Sequence, residues 1–405
     1  MMVYDRDLSA LQSGKPPYTP EWLQKLTLGR EVWLDNFSQH YLHNYIAAGG
    51  SKVKLLVGGE GVGKSHLLRC IEVEARSQGY AVVNLSARDL DYRISDLPNL
   101  YKRIFQGIDT NAVVKGLCLN VAARLGYGTD RYQGQSKLLQ LMIEDGLARY
   151  DAEREIRNAA VKTFKAVDFG PSFVTFAYTT AYDGLTSGLD SNLFGFRLKW
   201  LSGQKLEKKQ QHEAGLLEQL KKANARYWLN SLIKLLEQAG MPGLIVLIDD
   251  LEAITERVPE TGRFRYTPNA IKDTCELFRQ LIDDVELLNG LLVVLAGQRA
   301  IIDDERRGFK SYEALWMRLQ TGLVPSTRFN PFSDIVDVDS HYAVVGDDFP
   351  KRVTEGLAGF FKEQGFERHY RDNMPDTAEE PPLRRAVMDQ ALLAVKKEVS
   401  PDEAI

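Results

Sequence analysis

The run KVKLLVGGEGVGKSHLL, Lys52 to Leu68, decides the fold class. Its opening residues, Lys52–Val57, form a short apolar run that reads as a buried strand. The next eight, GGEGVGKS from Gly58 to Ser65, fit the spacing G-x-x-x-x-G-K-[ST] of a Walker A loop. Gly58, Gly61 and Gly63 let the backbone curl so that successive N–H groups point inward at phosphate oxygens. A helix predicted from about Lys64 to Ser77 adds its positive N-terminal end. Lys64 then reaches the β- and γ-phosphates of a nucleotide, and Ser65 offers a hydroxyl to Mg2+. The expected binding set is the whole loop, Gly58, Gly59, Glu60, Gly61, Val62, Gly63, Lys64 and Ser65, with His66 directly behind it. Gly79 ends the helix, and Tyr80–Leu85 supplies a second strand. Strand, loop, helix, strand is a βαβ unit, and such units build parallel sheets.

A phosphate loop of this kind needs an acid at the end of another strand. LIVLIDDLE, Leu244 to Glu252, supplies it. Leu244–Ile248 reads as the strand, and Asp249 stands at its carboxyl end, where open α/β sheets bind ligands. Asp249 is the expected magnesium residue. Asp250 and Glu252 are both candidates to polarise an attacking water. Adjacency to the metal residue favours Asp250 slightly, while Glu252 has the longer reach. Either acid alternatively caps the following helix. A third strand, Leu291–Ala296, runs into GQR. Gln298 is the expected contact to the γ-phosphate or its water, with Arg299 as substitute.

Outward from these strands the pattern is helical. A helix is predicted from Arg30 to about Ala48, stopped by Gly49-Gly50, and another at about Pro268–Leu288. Residues 95–225 read as a helical insertion into the α/β core, with helical periodicity over Leu138–Lys165 and Leu206–Gln238. Between them, FGPSFVTFAYTTAYDGLTSGLDSN reads as an irregular stretch rich in Gly, Ser and Thr. Residues 1–29 read as an N-terminal arm, punctuated by Pro16, Pro17 and Pro20. Residues 30–330 form the expected ATPase core, and 331–405 a small C-terminal lid-like region with helices near Thr354–Gly365 and Leu383–Val399.

The 405 residues carry 51 Lys plus Arg against 55 Asp plus Glu, a net charge of −4, so the chain as a whole is no polycation. Its apolar content of 44% excludes a wholly disordered chain. The apolar runs fall far short of the roughly 20 residues of a membrane helix, and the N-terminus has no signal-peptide pattern. Cys70, Cys118 and Cys275 show no disulfide or zinc spacing. These features predict a cytoplasmic protein with no membrane contact.

Several short motifs carry a family resemblance. LTLGRE, Leu26 to Glu31, resembles the GRE box of the initiator and helicase-loader branch of AAA+ ATPases, which implies that Arg30 lies near the adenine. SYEALWMRLQ, Ser311 to Gln320, resembles the segment carrying an arginine finger, implying that role for Arg318. PLRRAVMD, Pro382 to Asp389, is similar to the sensor 2 helix, implying Arg384 at the nucleotide, with Arg385 as alternate. More closely, GREVWLDNFSQHYL, GGSKVKLLVGGEGVGKSHLL and NARYWLNSLIKLLEQAGMPGLIVLIDDLEAI look like the ATP-binding proteins of BREX-type phage-defence operons, over roughly residues 26–325. The pair Asp249-Asp250 stands where Asp-Glu is usual.

The resemblance implies an ATP- and Mg2+-dependent AAA+-like ATPase. It would form homo-oligomers, work with other defence-system proteins, and remodel or load a partner on DNA. The alternative is an ATP-dependent assembly scaffold or switch that hydrolyses little. Direct DNA binding would fall to the basic segment holding Lys199, Lys205, Lys208, Lys209, Lys221, Lys222 and Arg226, which also reads as a solvated face. The aromatic residues Phe169, Phe173, Phe176, Tyr178 and Tyr182 read as core or subunit contact before a base-stacking surface.

Overall fold

A computed structural model describes residues 2–27, 29, 31–89, 94–134, 137–284, 287–319, 323–325, 329–340, 348–369 and 375–396. Its strands are β1 (Lys52–Gly58), β2 (Ala81–Ser86), β3 (Leu244–Asp249), β4 (Leu291–Gln298), β5 (Leu323–Pro325), β6 (Ile335–Asp337), β7 (Phe366–Arg368) and β8 (Ala394–Lys396). The first six form one sheet in the order β2-β3-β4-β1-β6-β5, every neighbouring pair parallel. The α/β class and the parallel sheet expected from the βαβ unit are therefore present.

Both faces of the sheet are covered, which is why its strands read as unbroken apolar runs. Alternation along β1 sends Val53, Leu55 and Val57 to one face and Leu56 to the other. The Leu56 face packs on Leu67, Leu68 and Ile71 of the helix Lys64–Ser77, and on Phe37, Tyr41 and Leu42. The opposite face packs on the helices lying between β2 and β3, and on the helix Pro268–Asp283. Residues 95–225 thus share one continuous hydrophobic cluster with the sheet.

Several sequence expectations change: β6 of the main sheet lies past residue 330, where the core was expected to end, and the helix expected near Leu383–Val399 stops at Leu393, after which β8 begins. The stretch from Phe169 is no irregular loop: Pro171–Thr186 is helical, with Phe173, Phe176, Ala177, Thr180 and Ala181 buried. Its Ser and Thr lower helix propensity, but burying one apolar face overrides so weak a preference. Phe173 lies 4.9 Å and 5.4 Å, centroid to centroid, from Trp200 and Trp228, so this aromatic group is core. Leu138–Lys165 is two helices, Leu138–Glu144 and Arg149–Lys165, divided where Gly146 turns at φ 95°. Leu206–Gln238 is also divided, by Gly215 at φ 68°.

Residues 1–29, expected as an arm, contain the helices Met2–Gln12 and Pro20–Leu26. Their prolines fall between helices or at a first turn, where the missing N–H costs nothing. Both pack on the C-terminal helices Phe349–Glu363 and Pro382–Leu393, which β7 and β8 join as an antiparallel pair. This third core holds Leu11, Trp22, Phe349, Val353, Phe360 and Phe361. Among the described residues no helix is long and apolar enough to cross a membrane.

Candidate functional site

β4 lies between β1 and β3, so the strand ends set the phosphate loop, Gln298 and Asp249 side by side. Gly61 and Gly63 turn through left-handed φ values of 70° and 92°. Only glycine adopts these freely, and a Cβ on Gly61 would also come within 2.7 Å of Pro381. Val62 is buried and anchors the loop on the sheet. Lys64 is buried too, its ammonium donating to the carbonyls of Gly58 (3.2 Å) and Gly59 (2.5 Å). Burial lowers its pKa, against the pull of Glu252, Asp249, Asp339 and Glu60.

Ser65 hydrogen-bonds the Asp249 carboxylate, which also accepts the Asp250 N–H at 2.8 Å. Burial raises the Asp249 pKa, while these bonds lower it. A hydroxyl touching a buried carboxylate is the hard oxygen donor set that Mg2+ takes, so these two residues fit that ion.

The two candidate bases differ sharply. Glu252 is buried, and one oxygen accepts the Gln298 N–H at 3.2 Å. Burial raises its pKa, opposed by its own N–H and by Arg88. Asp250 alone among the described non-glycine residues has positive φ, 61°, and its carboxylate accepts the Ser86 hydroxyl at 2.5 Å. Such strain persists only where the surroundings enforce it, often at functional sites.

Arg88 is absent from the residues expected from sequence. It lies 3.3 Å from Asp250, 3.0 Å from Glu252 and 2.7 Å from Glu256, a single guanidinium gathering three acids. One signal was available: Arg88 follows β2, and Ser86 is in register with Asp249. The rule that selects Gln298, a polar residue at or just past the end of a strand beside β3, selects Arg88 as well.

A cleft of about 290 Å3 joins these groups. Glu60, Gly61, Gly63, Lys64, Ser65, Arg88, Asp249, Asp250, Glu252 and Gln298 form its polar side. Leu11, Pro16, Pro17, Leu26, Phe349, Val353, Leu383 and Val387, from both ends of the chain, form an apolar side. Apolar walls with a few convergent polar groups characterise small-molecule sites. His66 lines the cleft, and its ring lies 2.8 Å from the Thr27 hydroxyl. Arg384 reaches over the loop, 3.5 Å from Glu60, from the helix Pro382–Leu393. Gly59 donates its N–H to Asp339 at 2.7 Å.

One expected residue falls outside this assembly, and one outside the described residues. Arg30 lies outside the described residues. Arg318 does not line the cleft; its guanidinium is 2.6 Å from Asp283 within the same chain.

Fold and cleft together define a P-loop NTPase. A family model described as BREX system ATP-binding protein BrxC/D matches residues 5–336, more than half of the chain, and the protein belongs to that family. Membership brings ATP binding in phage defence with it. No curated protein and no solved structure matches the chain.

Proposed function

We propose that the protein is a Mg2+-dependent, AAA+-like ATPase whose cleft binds ATP between its terminal helices and its sheet, and that hydrolysis drives an oligomeric assembly acting on a partner at DNA. The carrying observation is the convergence of Lys64, Ser65, Asp249, Glu252 and Gln298 on one cleft that also has an apolar wall for a base. In this reading the N–H groups of the phosphate loop and Lys64 hold the phosphates. Ser65 and Asp249 hold the magnesium ion, which would screen the phosphate charge. Glu252 polarises the water, since it is the buried acid bonded to the Gln298 backbone, whereas Asp250 is turned toward Ser86. Gln298 orients the γ-phosphate, and Arg384 closes over the loop. Arg318 enters a neighbour's cleft, released from Asp283 on assembly.

One observation favours a second reading, an ATP-gated scaffold with little turnover. Arg88 engages Asp250 and Glu252 together, so both acids are tied in this conformation. Phosphate release, measured with and without double-stranded DNA, separates the readings. Glu252→Gln should abolish release while retaining ATP binding, and Asp250→Asn should keep partial activity. Release at background level from the wild type under every condition would favour the scaffold.

A further inference from the structure

Arg299 follows Gln298 but reaches sideways across the sheet. Its Nη2 lies 2.6 Å from Asp337 Oδ1, and its Nε lies 2.6 Å from Asp339 Oδ2. β4 and β6 flank β1 on opposite sides, so this arginine ties their ends together across the neck of the phosphate loop. The other Asp339 oxygen belongs to that neck, accepting the Gly59 N–H at 2.7 Å. A Cβ on Gly58 would stand 3.1 Å from the same oxygen, so the carboxylate packs directly on the loop. The Asp339 N–H donates back to Asp337 at 3.1 Å, which closes the arrangement.

We propose that Asp339 and Arg299 are positioning residues of the phosphate loop: Asp339 pins the Gly59 peptide, and Arg299 orients that carboxylate and offsets one of the two charges of the Asp337–Asp339 pair. The proposal rests on the ATP-site reading above. Two physical requirements meet here. The loop must present its later N–H groups in fixed directions, so its first peptide needs an anchor. A carboxylate is a strong acceptor for that anchor, yet a negative charge beside the loop repels polyphosphate. The arginine, bridging Asp337 and Asp339, offsets one of their two charges and so eases this conflict while touching no phosphate itself. An asparagine at 339 would keep the acceptor and need no counter-charge.

The test is fluorescent-ADP and fluorescent-ATP binding by wild type, Lys64→Ala, Arg299→Ala, Asp339→Asn and the Arg299→Ala/Asp339→Asn double variant. Arg299→Ala should weaken both nucleotides alike, by about tenfold, the effect of one uncompensated charge near a screened site. Asp339→Asn should cost little, and the double variant should regain most of the lost affinity. A merely structural loss would not be rescued by a second lesion, so a double variant as weak as Arg299→Ala overturns the proposal. Weakened ATP with unchanged ADP would instead make Arg299 a γ-phosphate contact and overturn it. Wild-type binding with an unaffected Arg299→Ala variant sinks the clamp alone. Absence of wild-type binding sinks the ATP-site reading itself, and the clamp with it.

Discussion

At the scale of single residues, Lys64 is the most exposed to test. Its ammonium is buried against two carbonyls of its own loop, an arrangement that gains little over hydration. Removing it should leave the unliganded melting temperature close to wild type, because burial already disfavours the charge. The same change should remove the stabilisation that Mg-ATP gives, since a ligand stabilises in proportion to ln(1 + [L]/Kd). Thermal shift with and without Mg-ATP checks both halves. A Lys64→Ala variant stabilised as much as wild type would place the nucleotide elsewhere. Asp250 teaches a related lesson. Its identity as an acid beside Asp249 was legible, but its left-handed backbone was not, and that backbone turns it toward Ser86.

At the scale of elements, the proposed trans role of Arg318 would make the short helix Glu313–Leu319 depend on a second copy. Arg318 on it pairs with Asp283 in cis, and Met317 beside it is 63% exposed. If Arg318 acts in trans, Arg318→Ala and Lys64→Ala should each be nearly inactive alone. Mixed, they should recover part of the hydrolysis, and more of it at higher protein concentration. Loss of one such finger typically costs ~10³–10⁵ in rate with little change in ATP affinity. A mixture that forms hybrid oligomers and stays inactive would leave Arg318 a surface residue bonded to Asp283.

At the scale of the whole molecule, the two ends of the chain meet to complete the cleft. Trp22 is fully buried among Phe360, Phe361 and Phe366, with centroids 5.2, 5.6 and 6.2 Å away. Trp22→Ala should cost about 3–5 kcal/mol of that core. The cluster is separate from the two that cover the sheet, so the loss should fall on the terminal helices first. Limited proteolysis should then cut near residues 348–396 at protease levels the wild type resists, and ATP should protect less. Sheet and terminal helices unfolding together, in one transition, would contradict a distinct terminal core.

Local chemistry alone gave four of the six strands of the sheet and the phosphate loop; the three-residue strands β5 and β6 are too short to show a pattern. The glycines, Lys64 and Ser65 act within eight consecutive residues, and strands buried on both faces advertise themselves as apolar runs. Asp249 was legible for the same reason, standing directly at a strand end. Groups whose partners are distant in sequence were not. Arg88 meets Glu252 across 164 positions, and Gly59 meets Asp339 across 280. No periodicity encodes such pairings; they exist only once the parallel order of strands brings their ends together. The helix Pro171–Thr186 and the short N-terminal helices belong with them, since helices of this length are marginal in isolation and burial against other segments supplies the free energy to fold them.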